Sequence, residues 1–192
     1  DLLQRLIALI AIICLSPIFL FTYIAIRLDS KGPAIFKQVR VGEQGRHFTM
    51  YKFRSMFLPT DSRYQEPGKS DRSGVCEKFF QDPRVSAIGR VIRKLSIDEL
   101  PQLFNVLFGN MALIGPRPAL PREVAAYQRY MLNRLDVKPG ITGLWQVSGR
   151  ADISFNEQIK LDVRYVQERS FAMDLKILFA TVPAVLTGKG AY

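Results

Sequence analysis

The spacing of apolar residues changes character several times along the chain. Between Leu6 and Ile26 no residue is charged, and an apolar run of roughly 20 residues is long enough to cross a bilayer. Ser16-Pro17 sits at its centre. Pro17 has no N–H for the Ile13 carbonyl, and its ring crowds that carbonyl. The Ser16 hydroxyl is placed to bond back into the preceding turn. Arg5 precedes the run, and Arg27, Lys31, Lys37 and Arg40 follow it. A spanning helix usually has one basic flank; here both flanks are basic. A kinked hairpin that enters and leaves through one leaflet puts both ends on the cytoplasmic side. A straight span with a proline kink is the alternative. No polar leader and cleavage site mark a secretory signal.

Beyond the run the period becomes two. Residues 35–56 read as a β-hairpin around the turn Gly42-Glu-Gln-Gly45, with Phe48, Met50 and Lys52 on one face. Residues 57–80 are polar and rich in Ser, Asp, Gly and Pro, which predicts a loop. From Ile88 the pattern is mainly helical. Leu100, Leu103, Phe104 and Leu107 form one apolar stripe, and Asp98, Gln102 and Asn105 lie opposite, where they would meet an aqueous site. Residues 121–135 predict a helix and Pro139-Gly-Ile-Thr-Gly143 a turn. Ser154-Phe-Asn-Glu157 is a capping box opening a helix with Ile159, Val163 and Val166 on one side. From Asp174 to Leu186 only Lys176 interrupts an apolar segment, which is buried or lies on a membrane.

Composition narrows the function classes. The chain of 192 residues fits one domain, and its formal charge of +10 must face something anionic. Nucleic acid, a phospholipid surface or a phosphorylated substrate would serve; the apolar N-terminus favours the last two. Cys14 and Cys76 form no CxxC pair, so zinc is not expected, and His47, the single histidine, reads as a hairpin-loop residue. The thiol usage suits a reduced, cytoplasm-facing protein. The first residue is Asp, and what precedes it is open.

Asp98 and Glu99 are the adjacent acidic pair at the mouth of the striped helix. Helix capping would account for them: Ser96-x-x-Glu99 matches a capping box, and Asp98 could be an N-cap with Pro101 at the third helical position. The surroundings point to chemistry. Arg90, Arg93 and Lys94 precede the pair, and a helix N-terminus adds partial positive charge, so a diphosphate would settle there. The same charges favour an ionised Asp98, the form a nucleophile needs. A magnesium ion bound by carboxylates and substrate phosphates would screen the attack. Arg117, stiffened between Pro116 and Pro118, suits phosphate recognition; its alternative is a solvated turn. Lys52 and Arg54 in the hairpin and Arg150 after Gly149 are weaker candidates singly.

Six stretches, in order, resemble the bacterial sugar transferases, the monotopic polyprenyl-phosphate phosphoglycosyl transferases. They are Lys52-Phe-Arg-Ser-Met56, Asp82-Pro-Arg84, Leu95-Ser-Ile-Asp-Glu-Leu-Pro-Gln-Leu-Phe-Asn-Val106, Ile114-Gly-Pro-Arg-Pro118, Lys138-Pro-Gly-Ile-Thr-Gly-Leu-Trp-Gln-Val-Ser-Gly-Arg150 and Gly190-Ala-Tyr192. The resemblance implies an α+β, mainly helical fold. It has a re-entrant Ser-Pro-broken membrane helix over residues 1–30 and an interfacial catalytic domain over residues 31–192. One β-hairpin and amphipathic helices at the membrane interface complete it. It also implies a reaction: Asp98 attacks a UDP-sugar, releases UMP and forms a phosphosugar–enzyme intermediate, which undecaprenyl phosphate then takes up. Magnesium is implied, held by Asp98 and Glu99. Arg93 falls on the family's lipid-phosphate arginine, Arg117 on its Pro-Arg-Pro motif near the nucleotide and Lys52 on its hairpin lysine; Asp174 and Arg40 are further candidates by resemblance. The wording from Gly143 to Arg150 and the Gly-Ala-Tyr ending look like the long enzymes of exopolysaccharide and O-antigen synthesis. Those carry extra N-terminal membrane helices and a regulatory domain. The implied place is the cytoplasmic face of the bacterial inner membrane, with membrane lipids and a second copy of the chain as candidate partners and no nucleic acid. The rival readings are a basic, membrane-anchored RNA binder using Phe36, Phe48, Tyr51 and Phe53, and a scaffold in which the acidic pair only caps a helix.

Overall fold

A computed structural model describes residues 1–68, 70, 79, 81–149 and 153–187. Helix α1 (Leu2–Cys14) and helix α2 (Ser16–Asp29) meet at a bend of 61°. The Ser16 hydroxyl donates to the Ile13 carbonyl at 2.8 Å, the bond expected where Pro17 leaves that carbonyl without a partner. Among the described residues no single helix is long and apolar enough to cross a membrane, although this bent pair passes such a test together.

Strands β1 (Ile35–Val41) and β2 (His47–Phe53) form the expected antiparallel hairpin, with Ile35 opposite Phe53 and Val41 opposite His47. Met50 and the ring of Phe48 join Ala8 of α1 and Met111 in one apolar cluster; Ile26 of α2, Ala34 and Phe53 form a second. Phe19 bridges the two, with its ring 5.6 Å from Phe53 and 5.8 Å from Phe104. The broken helix therefore packs one face onto the hairpin. On its other face Leu2 and Phe21 are at least 80% exposed.

Helix α3 (Ala87–Lys94) opens on Ser86, whose hydroxyl accepts from the Gly89 N–H at 3.0 Å. It docks backbone to backbone on the hairpin's end: a Cβ on Gly89 would lie 1.9 Å from the Ser55 carbonyl oxygen. After α3 the chain turns through Ser96, a non-glycine residue at φ 55°, into a 3₁₀ turn, Ile97–Glu99. Helix α4 (Gln102–Leu107) follows, with Pro101 at its N-cap position and not inside its first turn. Of the predicted stripe Leu103 is buried and Leu100, Phe104 and Leu107 are half-buried; Val106, outside that stripe, is buried with Leu103. The polar face of α4 is not aqueous, because Gln102 and Asn105 are 3% and 0% exposed. The Asn105 side chain donates to the Thr49 carbonyl and accepts from the Tyr51 N–H, so it pins α4 to β2.

The rest departs from expectation in two places. Residues 121–135 are two pieces, α5 (Pro121–Ala125) and a 3₁₀ helix (Arg129–Leu135), because Gln128 between them is extended. The expected turn at 139–143 contains a strand, β4 (Gly140–Thr142), parallel to β3 (Ala112–Ile114). Glycines permit this close approach: a Cβ on Gly140 would meet the Gly115 nitrogen and one on Gly115 the Lys138 carbonyl. Over the described residues the fold is thus mainly helical α+β with two small sheets, one more than the hairpin expected. Helix α6 (Leu144–Ser148) leads to α7 (Phe155–Glu168), which opens on the predicted Ser154–Glu157 capping box. Helix α8 (Phe171–Thr187) is as apolar as foreseen and leaves Phe171, Phe179 and Leu186 more than 70% exposed.

Candidate active site

The acidic pair is not a capping device. Ser96 makes no side-chain cap bond, and α4 has none either. The Glu99 carboxylate turns the other way: Lys52 Nζ of β2 donates to Oε1 at 2.6 Å, and an Arg117 guanidinium nitrogen lies 3.5 Å from the same oxygen. Lys52 reaches it because the period-two face that buries Phe48 and Met50 carries Lys52 past the edge of the apolar cluster. Arg117 reaches it from the turn between β3 and α5.

Asp98, beside Glu99, is the electrostatic centre. Burial pushes its carboxyl up to about 6, against the pull of Lys52; Glu99 raises it further, while Arg93 and Arg117 pull it down. Burial holds the Arg93 guanidinium below its usual value, with Asp98 and then Asp82 opposing. Asp82 is itself paired with Arg84 at 2.6 Å. Two carboxylates thus stand among three cations, from β2, α3 and the Pro-Arg-Pro turn. The cleft between these elements is lined by Arg40, Met50, Lys52, Glu99, Gln102, Arg117, Pro118, Gly140, Ile141 and Gln146.

The remaining candidates fall elsewhere. The Arg54 guanidinium is buried and donates to the carbonyls of Ser30 and Lys31 at 2.8 and 2.6 Å; it ties the end of α2 to the hairpin instead of facing the dyad. Arg40 lines the cleft but spends its guanidinium on Gln38 and the Pro118 carbonyl. Asp174 accepts from the Tyr165 hydroxyl at 2.7 Å, a hydroxyl that also reaches the Ile114 carbonyl. Arg150 lies outside the described residues, as does the Gly190–Tyr192 ending. Sequence reasoning did not single out Gln146, whose side-chain nitrogen donates to the Ile141 carbonyl while its oxygen is buried without a partner. It also did not single out Arg134 and Asp162. Asp162 was readable in principle, since it interrupts the stripe of Ile159 and Val166 that faces the core.

The donor set suits a shared metal. Magnesium takes oxygen ligands, and it commonly uses one or two carboxylates with the rest from substrate phosphates and water. Asp98 and Glu99 are the pair that could hold such an ion, and no group of three or more acidic, His or Cys residues that could hold a metal occurs among the described residues. The arrangement fits an ion that arrives with a diphosphate better than a closed protein cage.

The chain is similar to known proteins over nearly its whole length. The sequence profile of the family described as "Bacterial sugar transferase" matches residues 1–188. The exopolysaccharide production protein ExoY of Sinorhizobium fredii is 41% identical over 192 residues, covering 97% of this chain and 85% of that protein. The undecaprenyl-phosphate galactose phosphotransferase of Salmonella typhimurium is 42% identical over 96% of this chain and 40% of its own length. The undecaprenyl-phosphate glucose phosphotransferase of Komagataeibacter xylinus is 39% identical over 96% of this chain and 35% of its own length. This chain therefore belongs to the bacterial sugar transferase family.

Proposed function

We propose that this chain transfers a hexose 1-phosphate from a UDP-sugar to undecaprenyl phosphate, through a covalent intermediate on Asp98, at the cytoplasmic face of a bacterial inner membrane. The observation that carries the reading is the dyad's setting. Glu99 is held by Lys52 and Arg117, and Asp98 stands half-buried beside it among cations.

The chemistry runs as two displacements. An Asp98 carboxylate oxygen attacks the sugar-linked phosphorus of the UDP-sugar. The bond from that phosphorus to the bridging oxygen breaks, and UMP leaves with the oxygen. An oxygen of undecaprenyl phosphate then attacks the same phosphorus, displaces the Asp98 carboxylate and yields the lipid diphosphate sugar. Arg117 orients the donor diphosphate; Arg93 receives the lipid phosphate; Lys52 fixes the Glu99 carboxylate. Magnesium, where bound, supplies charge neutralisation between the attacking carboxylate and the phosphates.

The exposed apolar faces of the broken helix and of α8 support insertion into one leaflet, with the Ser16-Pro17 break turning the chain back. A lipid phosphate that stays in the bilayer and a soluble nucleotide sugar can meet only at that interface. The RNA-binding alternative keeps only Phe36 and Tyr51 of its four aromatics, because Phe53 is buried and Phe48 packs into the apolar cluster. The test is UMP release from a panel of UDP-sugars by detergent-solubilised protein with magnesium and undecaprenyl phosphate. Release with one sugar, absent in Asp98→Asn, is the expected result. Equal release by the variant would defeat the reading.

A further inference from the structure

Pro116 and Pro118 have no N–H, so the turn that presents Arg117 is held through its carbonyls. Four in succession are engaged. Pro116 O accepts from the Gly140 N–H at 2.9 Å and Arg117 O from the Arg134 guanidinium at 2.7 Å. Pro118 O accepts from Arg40 at 3.0 Å and Ala119 O from the Val41 N–H at 2.9 Å. Three of these donors sit on the strands around the cleft. The fourth, which holds the carbonyl of Arg117 itself, comes from the 3₁₀ helix over residues 129–135. The nitrogen of Arg134 that makes this bond also donates to Asp162 on α7, and its other terminal nitrogen donates to the Tyr127 hydroxyl. Arg134 and Asp162 are 6% and 1% exposed.

Such a pair is an expensive way to hold a fold together. Desolvating two charges offsets most of their attraction, and apolar replacements of the same volume are often no less stable. Asp162 also keeps one buried oxygen without a hydrogen-bond partner. Burial pushes its carboxyl up to about 6 even against Arg134. What the pair supplies in return is direction: a planar guanidinium held by Asp162 on one terminal nitrogen and by the Tyr127 hydroxyl on the other sets where the Arg117 carbonyl lies. With φ fixed at the proline on either side, the position of that carbonyl governs where the Arg117 side chain points.

We propose that the buried Arg134–Asp162 pair is a positioning unit for Arg117, so that capture of the nucleotide-sugar diphosphate depends on α7, outside the cleft. The inference rests on the reading of Arg117 as a ligand of the donor diphosphate. Neither Arg134 nor Asp162 touches the reacting atoms; both act through the turn.

The test replaces the pair with apolar residues, Arg134→Met with Asp162→Leu, which leaves no unpaired buried charge. Two-substrate kinetics on the detergent-solubilised chain give kcat/KM separately for UDP-sugar and for undecaprenyl phosphate. The expected result is a donor kcat/KM lower by about tenfold or more, the scale of a small misplacement of a binding group, with the acceptor kcat/KM unchanged. In an Arg117→Ala background the same pair of substitutions should change nothing further. Should the double variant not fold, Arg134→Lys keeps the charge pair without the planar fork and carries the same expectation. Equal losses for donor and acceptor, or a loss that adds to that of Arg117→Ala, would show a general packing role and overturn the proposal. A normal pair variant beside a damaged Arg117→Ala overturns the proposal alone. An unchanged donor kcat/KM in Arg117→Ala overturns the reading of Arg117, and the proposal with it.

Discussion

Replacing the proposed nucleophile should make this protein more stable while it abolishes turnover. The Asp98 carboxyl is pushed from its ordinary value of 3.8 to about 6, first by burial and then by Glu99, against the pull of Lys52, Arg93 and Arg117. At about 1.4 kcal/mol per pK unit, holding it ionised costs the folded state up to about 3 kcal/mol at neutral pH. Solvent screening at a partly exposed site brings the expected gain for Asp98→Asn to about 1–3 kcal/mol. The sign follows from linkage. The folded state binds this proton more tightly than the unfolded chain, so the native protein loses stability as pH rises from about 4 to about 6. The neutral asparagine has no such loss. The assay is thermal unfolding in detergent with a chelator present, for native protein and Asp98→Asn, at pH 4.5 and 7.5. The variant should melt higher at pH 7.5, and the gap should shrink at pH 4.5. A gap of the same size at both pH values, or a variant that melts lower at pH 7.5, would refute the claim that burial strains an ionised Asp98.

Three other outcomes are expected. Lys52 is the strongest cation lowering the Asp98 pKa, so Lys52→Met should move the acid limb of donor kcat/KM to higher pH, and a limb that stays in place would remove Lys52 from the dyad's electrostatics. Asn105→Ala strips the Thr49 carbonyl and the Tyr51 N–H of their buried partner; denaturant unfolding should show a loss of about 2–4 kcal/mol, and a change within experimental error would mean α4 is held by packing alone. Ser16→Leu with Pro17→Ala removes both the break and the hydroxyl bond to Ile13. The broken helix should then straighten toward a span and carry its two ends to opposite sides of the membrane; labelling that still finds both ends on one side would show that the Ser16-Pro17 break is not what turns the helix back.

What was legible in the sequence was whatever rests on local pattern. The hairpin followed from period two and its Gly-rich turn, the helix break from Ser16-Pro17, the opening of α7 from a capping box, and the dyad from two adjacent carboxylates after three cations. What was not legible depends on partners far away in the chain. Asn105 reads as a solvent-facing polar residue until β2 is laid against it. Gly140 reads as a turn glycine until Gly115 approaches its backbone closely enough to make a strand. Arg54 sits two residues after Lys52 in one motif, yet the end of α2 claims it for two carbonyls, while Lys52 goes to Glu99. Residues 121–135 have helical spacing, but the chain is extended at Gln128, and Arg134 goes to Asp162 and the Arg117 carbonyl. For Asn105, Arg54 and Arg134 the deciding partner is a tertiary hydrogen bond that local pattern does not record.

The central claim is that Asp98 carries the sugar phosphate between two substrates. Intact-protein mass measurement after mixing with the accepted UDP-sugar and magnesium, with undecaprenyl phosphate withheld, tests it most directly. The account predicts an adduct of one hexose phosphate on the peptide containing Asp98, an equal amount of UMP released, and discharge of the adduct when the lipid phosphate is added. No adduct, with UMP appearing only once the lipid phosphate is present, would mean that the acceptor attacks the donor directly and that Asp98 is not the nucleophile.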